Sequence, residues 1–312
     1  MVHKKKNVLI IGYGSIGQRH AKILISMGVN VHICSRRNID FASSFDNLKQ
    51  SFKEVNYDYV IIANRTSEHF GTLVELKKFN YKGVVMIEKP IFDHYIEFKD
   101  NTFKKVIVAF NLRFYPVIQE LKKKISNEKI LSVNAYAGQY LPYWRPNVDY
   151  RTSYSASKNG GGGVLLDLSH EIDYLNWILE GLTEVISSGG KFSDLEIDSD
   201  DIFQISFKSK RCQLVQLELN YIDKVLRRFI IINTNQHTYK ADLIASTLEI
   251  DGQITKFDND RNYSYRKYHE QMFKKNYTMM CSYQEAIQNM KILESIRTSN
   301  IKKKWININK GF

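Results

Sequence analysis

The chain has 312 residues, enough for two modest domains or one large one. With 43% hydrophobic and 25% charged residues it can build and solvate a core, which excludes a disordered chain; no apolar run reaches the roughly 18–20 residues of a membrane span. The formal charge of +12 is spread over lysine triplets at 4–6, 122–124 and 302–304 rather than gathered into one patch interleaved with aromatics, so a nucleic-acid partner is not expected.

In chain order, residues 7–11 form an apolar run of the kind found in a parallel strand buried on both faces. Gly12 and Gly14 break the apolar stretch and no small-residue cleavage site follows, so the basic start reads as the lead-in to a strand and not as an export signal. A helix with Ile16, Ile23 and Leu24 inward comes next, then strands over 29–34, 57–63, 83–87 and 105–110 separated by helical or irregular segments. This alternation implies right-handed crossovers and a doubly wound parallel sheet.

After Pro116 the pattern changes, with a helix over 117–125 and a strand over 131–137. A loop rich in aromatics and arginines spans 139–158, and Gly160 to Gly163 lead into a helix through Leu179. From Val185 to about Ile250 the residues alternate with period two, the signature of an antiparallel sheet with one wet or interface-facing side. A helix over 281–299 closes the chain. Two domains, 1–116 and 117–312, are expected. Cys34, Cys212 and Cys281 are odd in number and far apart, which fits free thiols in a reducing cytosol better than a disulfide framework or a zinc site.

Gly12-Tyr13-Gly14-Ser15-Ile16-Gly17 matches G-x-G-x-x-G. The match gains weight because it follows a buried strand and opens a helix: the first glycine allows the tight turn, the second lets backbone approach a pyrophosphate, and the third lets helix and strand pack closely. A dinucleotide is the expected ligand, with its phosphates at the helix amino terminus. At the end of the second strand an NAD-specific protein places an acid, but this chain has Cys34-Ser35-Arg36-Arg37, with no carboxylate before Asp40. Ser35, Arg36 and Arg37 favour the 2′-phosphate of NADP; if Arg36 merely stacks over the adenine, NAD is equally acceptable.

Glu88-Lys89-Pro90 ends the strand at 83–87, which points Lys89 toward the crevice beyond the strand ends. Such a lysine can bind a reacting oxygen or exchange its proton, though a lysine at a strand end is commonly just a surface residue. On the helix after the glycines, Leu168, Ile172, Leu175 and Leu179 form a core stripe. Asp167, His170, Glu171 and Tyr174 share an adjoining polar face, and an ordinary cap and a surface histidine would explain Asp167 and His170 equally well.

Gly12-x-Gly14-x-x-Gly17-x-x-His20, Glu88-Lys89-Pro90, Asn111-Leu112-Arg113-Phe114-x-Pro116 and Gly161-Gly162-Gly163-x-Leu165-x-Asp167…His170-x-x-Asp173 occur in an order that resembles the Gfo/Idh/MocA oxidoreductase family over nearly the whole chain. The resemblance implies an amino-terminal Rossmann domain and a carboxy-terminal α/β domain with a large, mainly antiparallel open sheet. That sheet is implied to join protomers as a homodimer or homotetramer. It makes Lys89 and His170 the acid/base pair, with Asp167 as orienter or substrate ligand. One departure bears on Asp167: the family often spaces D-x-x-x-H, whereas Asp167-Leu168-Ser169-His170 is one residue shorter. The implied cofactor set is Gly12, Tyr13, Gly14, Ser15, Ile16, Gly17, Ser35, Arg36, Arg37, Asn64, Thr66, His69, Glu88, Lys89, Asn111 and Arg113. Trp144, Arg145, Tyr150 and Arg151 are implied to enclose the substrate.

The stretch from Gln139 through Trp144 and Arg145 to Pro146 resembles a subgroup associated with bacterial amino-sugar and nonulosonic-acid pathways. The expected activity is therefore a cytoplasmic, NADP- or NAD-dependent hydride transfer with a sugar or nucleotide-sugar. The alternatives are a biliverdin reductase-like enzyme with a non-sugar substrate and a cofactor-sensing regulator without turnover.

Overall fold

The computed structural model describes residues 5–99, 102–145, 147–258 and 260–310. Lys4 of the first lysine triplet and Pro146 of the aromatic loop therefore lie outside the described residues. By compactness the chain forms two units, residues 1–111 with 261–287 and residues 112–260 with 288–312. The return of 261–287 to the first unit has no counterpart in a contiguous division at 116/117.

The first unit is built on β1 (Asn7–Ile11), α1 (Ser15–Ser26), β2 (Asn30–Cys34), β3 (Ser44–Phe45), α2 (Leu48–Glu54), β4 (Tyr59–Ile62), α3 (His69–Lys78), β5 (Val84–Ile87) and β6 (Lys105–Val108). Its sheet runs β6–β5–β4–β1–β2–β3 in parallel, with Cys281–Ser282 added antiparallel to the outer edge of β6. Val8, Leu9, Ile10, Val60, Ile61, Val85, Met86 and Ile87 are wholly buried, as apolar runs covered on both faces must be. Truncating one of them to alanine would cost about 2–5 kcal/mol. Ile16, expected to face inward, is only half-buried; Gly17, His20, Ala21, Ile23 and Leu24 form the inner face of α1. A helix entering from a tight glycine turn presents the third glycine to the strand, which rotates Ile16 outward.

The second unit starts with α4 (Pro116–Lys124) and β7 (Ile130–Gly138). Two helices, α5 (Val164–Asp167) and α6 (Ser169–Ile178), follow the glycines in place of the single helix expected, because Leu168 leaves helical geometry between them. Then come β8 (Leu182–Gly190), β9 (Ile202–Ser209), β10 (Val215–Asn220), β11 (Arg227–Thr234), β12 (Thr238–Asp242), β13 (Thr247–Ile250) and β14 (Gln253–Lys256). The chain continues through α7 (Tyr263–Lys274), β15 (Cys281–Ser282), α8 (Tyr283–Lys302) and β16 (Ile306–Asn307). Residues 281–282, read from sequence as the start of the closing helix, are thus a strand.

The second sheet has the order β14–β13–β12–β11–β7–β10–β9–β8–β16 and is antiparallel except where β7 meets β10. Period-two alternation puts Phe203, Ile205, Phe207, Val215, Leu217 and Leu219 on its buried face, and Gln204, Ser206, Gln216 and Glu218 on the other. Among the described residues no helix is long and apolar enough to cross a membrane.

Candidate functional site: the carboxyl edge of the first sheet

Four parallel pairings end level: Ile11 is in register with Cys34 and with Ile62, Ile62 with Ile87, and Ile87 with Val108. The residues that follow, Gly12, Ser35, Ala63, Glu88 and Ala109, consequently share one edge. Strand order reverses between β1 and β4, the place where open α/β sheets bind ligands. Gly12 has φ +96°, and a Cβ on it would lie 2.6 Å from the backbone nitrogen of Asn64, so only glycine fits there. A Cβ on Gly17 would meet the Gly12 carbonyl oxygen at 2.2 Å. Gly14 differs from both: a Cβ there would have no neighbour within 4 Å, and as the residue capping α1 it offers no side chain to the helix amides. Open space over an uncapped helix amino terminus suits an incoming phosphate. Tyr13 packs edge-on to Phe41, and Ser15 is exposed at the first turn.

At the end of β2, the Ser35 hydroxyl accepts from the Arg37 amide and donates to the Arg37 carbonyl, which folds the loop back on itself. Arg36 is largely exposed and pairs with Glu68 at 2.8 Å. The same Glu68 oxygen accepts from Asn64 Nδ2 at 3.2 Å, and Asn64 also donates to Thr72. The acid that faces Arg36 thus comes from the turn after β4, Thr66–Glu68, and not from the end of β2.

Glu88 is buried and receives a hydrogen bond from His20 Nε2 at 2.7 Å. Lys89 is half-buried and joins Pro90 through a cis peptide bond. His69 is buried, with Nδ1 facing the carbonyls of Pro90 and Ile91 and Nε2 facing that of Asn64. It ties the chain beyond Lys89 to the turn after β4, and burial lowers its pKa. Its side chain braces the edge. Asn111 Nδ2 donates to the Ser264 hydroxyl at 2.8 Å.

In the second unit, Asp167 is buried and accepts from the Tyr221 hydroxyl at 2.6 Å. It also lies beside Tyr154, whose pKa it raises by its charge and by hydrogen bonding. His170 is half-buried on the first turn of α6. Glu171 and Tyr174, expected beside it on a polar face, are fully buried, and Arg228 donates to Glu171 through Nε and Nη2. α6 is covered on more sides than its leucine stripe indicates, and its buried acid has a half-buried cation for a partner. Arg113, expected as a cofactor ligand, lies in the core: its guanidinium forks onto Asp173 at 2.9 and 2.7 Å over the Trp177 ring, and Asn289 donates to the same carboxylate.

In the loop, Trp144 donates to the Gln139 carbonyl and sets its ring edge-on to Tyr221, while Arg145 lies over the Tyr154 ring. Arg151 is engaged by Asp149 and Glu196, and Tyr150 accepts from the Glu196 amide. An open recess of about 550 Å³ there is lined by residues including Arg151, Lys191 and Asp198, and neither Asp167 nor His170 belongs to its lining.

Residues 6–102 match the oxidoreductase family with an NAD-binding Rossmann fold, and residues 118–237 match the GFO/IDH/MocA C-terminal domain. The chain belongs to the Gfo/Idh/MocA family. Among solved structures it is similar to a levoglucosan dehydrogenase in complex with NADH, at 16% identity and TM-score 0.82, over 98% of this chain and 99% of that one. The WlbA dehydrogenase from Bordetella pertussis, in complex with NADH and UDP-GlcNAcA, matches at 16% identity and TM-score 0.80, over 98% and 99%. At this identity the likeness establishes the fold. No curated protein sequence matches.

Several residues that surround the candidate side chains in each unit of this Gfo/Idh/MocA protein escaped sequence reasoning. Glu68 had a usable signal, an acid a few residues past the end of β4. His269, which contacts His20, and Tyr154 and Tyr221, which surround Asp167, sit in polar or alternating segments with no motif to mark them.

Proposed function

We propose that this chain is a dehydrogenase or reductase that moves a hydride between a sugar or nucleotide-sugar carbon and NAD(P), working in the cytoplasm as a homodimer or homotetramer joined through the nine-stranded sheet. The observation that carries the reading is the level carboxyl edge of the first sheet, with open space at Gly14 over the start of α1. A bound nicotinamide dinucleotide supplies the hydride acceptor or donor. The glycine turn and the first amides of α1 hold its phosphates, and Ser35, Arg36 and Arg37 receive its adenosine ribose. NADP remains the first choice, since Arg36 can fork onto a 2′-phosphate, while Glu68 competes for the same guanidinium.

Acid/base chemistry belongs to Lys89 and His170 in this proposal. In oxidation they take the hydroxyl proton as hydride leaves the carbon, and in reduction they return it. Asp167, held by Tyr221, serves as a substrate ligand or orienter, and Trp144, Arg145, Tyr150 and Arg151 are the enclosing residues. A sugar substrate is supported by the levoglucosan and UDP-GlcNAcA that structural relatives bind.

The test is a nicotinamide-absorbance screen with free and nucleotide-activated amino sugars and both cofactors, followed by Lys89→Ala on the substrate found. General acid/base help is worth about 10²–10⁴-fold, or roughly 3–5 kcal/mol of barrier, so Lys89→Ala should lose that much kcat/KM while still binding cofactor. Near-normal turnover by the variant would remove Lys89 from the mechanism.

A further inference from the structure

We propose that Tyr59, His269 and His20 form a one-way hydrogen-bonded chain that orients Glu88 toward bound dinucleotide, so that the two histidines are positioning residues for cofactor binding. This rests on reading the first unit as a dinucleotide site and is independent of the substrate.

The chain has three links. His20 Nε2 lies 2.7 Å from Glu88 Oε1, His20 Nδ1 lies 2.9 Å from His269 Nε2, and His269 Nδ1 lies 2.8 Å from the Tyr59 hydroxyl. Tyr59 is the first residue of β4, His20 lies on α1 three residues past Gly17, and His269 lies on α7. All four ring nitrogens are engaged, and Tyr59, His20 and His269 are 0–2% exposed. Glu88, at 9%, is the most exposed member, and it stands at the carboxyl edge beside Lys89.

Donor and acceptor chemistry fixes the direction. An ionised carboxylate only accepts, so the His20 proton is on Nε2. In a neutral His20 the Nδ1 then accepts, which puts the His269 proton on Nε2, and His269 Nδ1 in turn accepts from the tyrosine. Every proton points toward Glu88. The reverse order needs a protonated Glu88 or a doubly protonated His20, and in either case it leaves the buried Tyr59 hydrogen with no acceptor among the described residues. Burial keeps His269 uncharged, which agrees with its place as a neutral link in the chain.

The other charged or titratable groups facing the chain are Arg19 on α1, Tyr265 on α7 with its edge toward His20, Arg261 just before α7, and Asp58 beside Tyr59. A buried core does not need three polar groups in series; hydrocarbon would fill the same volume. The series ends on one carboxylate oxygen, and orienting that carboxylate is what the arrangement accomplishes. A fixed carboxylate at this edge can accept hydrogen bonds from hydroxyl or amide groups of a bound dinucleotide.

The test is fluorescence titration of the full chain with NADH, and with NADPH in parallel, from about pH 5.5 to 8.5, with no sugar present. His269→Phe removes the middle donor and should weaken binding about tenfold at neutral pH. His269→Gln can donate through Nε2 and accept through Oε1, so it should bind within about threefold of wild type. Nitrogen-15 shifts should report His20 protonated on Nε2 in the wild type. Wild-type affinity in His269→Phe, or a glutamine variant as weak as the phenylalanine one, would overturn the proposal. Should His269→Phe fail to fold, Tyr59→Phe, which removes only the terminal donor, carries the test, and undiminished cofactor affinity there would likewise overturn it. Failure to find a sugar substrate leaves these titrations untouched.

Discussion

Gly12 and Gly14 stand two residues apart in the same loop, yet substitution should affect them in opposite ways. Alanine at Gly12 must keep φ near +96° and place a methyl 2.6–2.8 Å from Ala63 and Asn64 backbone. The strained backbone costs about 1–3 kcal/mol and the overpacking a similar amount, so Gly12→Ala should destabilise the apo protein by roughly 2–5 kcal/mol. Alanine at Gly14 meets nothing within 4 Å, and its φ of −79° is ordinary for any residue. Loss of unfolded-state freedom and a poorer helix cap nearly cancel there, leaving stability within about 1 kcal/mol of wild type. The Gly14 methyl nevertheless occupies the space assigned to phosphate, and NADH affinity should fall at least about tenfold, or ~1.4 kcal/mol. Thermal melts with and without NADH separate the two effects. At 100 times Kd the wild type should gain about 2.7 kcal/mol from ligand, while Gly14→Ala should melt normally when empty and gain far less. Wild-type NADH stabilisation of Gly14→Ala would refute the placement of the phosphates.

Glu68→Gln should raise the NADP-to-NAD ratio of kcat/KM by about two- to fivefold; the Arg36 pair is solvent-screened and worth only ~0.2–1 kcal/mol, so a larger change would mean that Glu68 binds ribose directly. Asp173→Ala strands the buried Arg113 guanidinium and should cost about 3–5 kcal/mol, seen as a melting-temperature loss in the absence of any ligand; a loss under about 1 kcal/mol would mean that Arg113 finds another carboxylate. His69 and His269 are held neutral by burial, whereas in the unfolded chain they protonate near the ordinary value of 6.5. Below that value the unfolded state binds more protons, so stability should fall as pH drops from about 7.5 to 5.5, and urea midpoints should show a shallower slope for His269→Gln.

The strands β1, β4 and β5 were legible because a strand buried on both faces must be continuously apolar, and the glycine turn was legible because Gly12 and Gly17 each answer a separate steric demand. β3 and Cys281–Ser282 were not, since two residues carry no periodicity. α7 was missed because the residues it buries include Ser264, Tyr268 and His269, a helical stripe written partly in polar letters. His20 was visible in the family motif, but its partner lies 249 residues away. Arg113 was named as a cofactor residue through the family motif, and only the fold reveals Asp173 beneath it. Lys89 was marked by its place at a strand end and His170 by its polar helix face; the family resemblance supplied their roles, and those roles rest on the turnover assay.

The interrupted composition of the first unit constrains how the protein is made. A fragment ending at residue 111 would lack α7 and β15, so His20 would have no donor for Nδ1 and the outer edge of β6 would stand bare. Domains usually mature on the ribosome in the order they are synthesised. Here the amino-terminal unit must wait for almost thirty further residues that come only after the whole second sheet except its last strand has been translated. A nascent chain stalled before that point exposes an unfinished sheet edge, and chaperone demand should fall once Ser282 clears the exit tunnel.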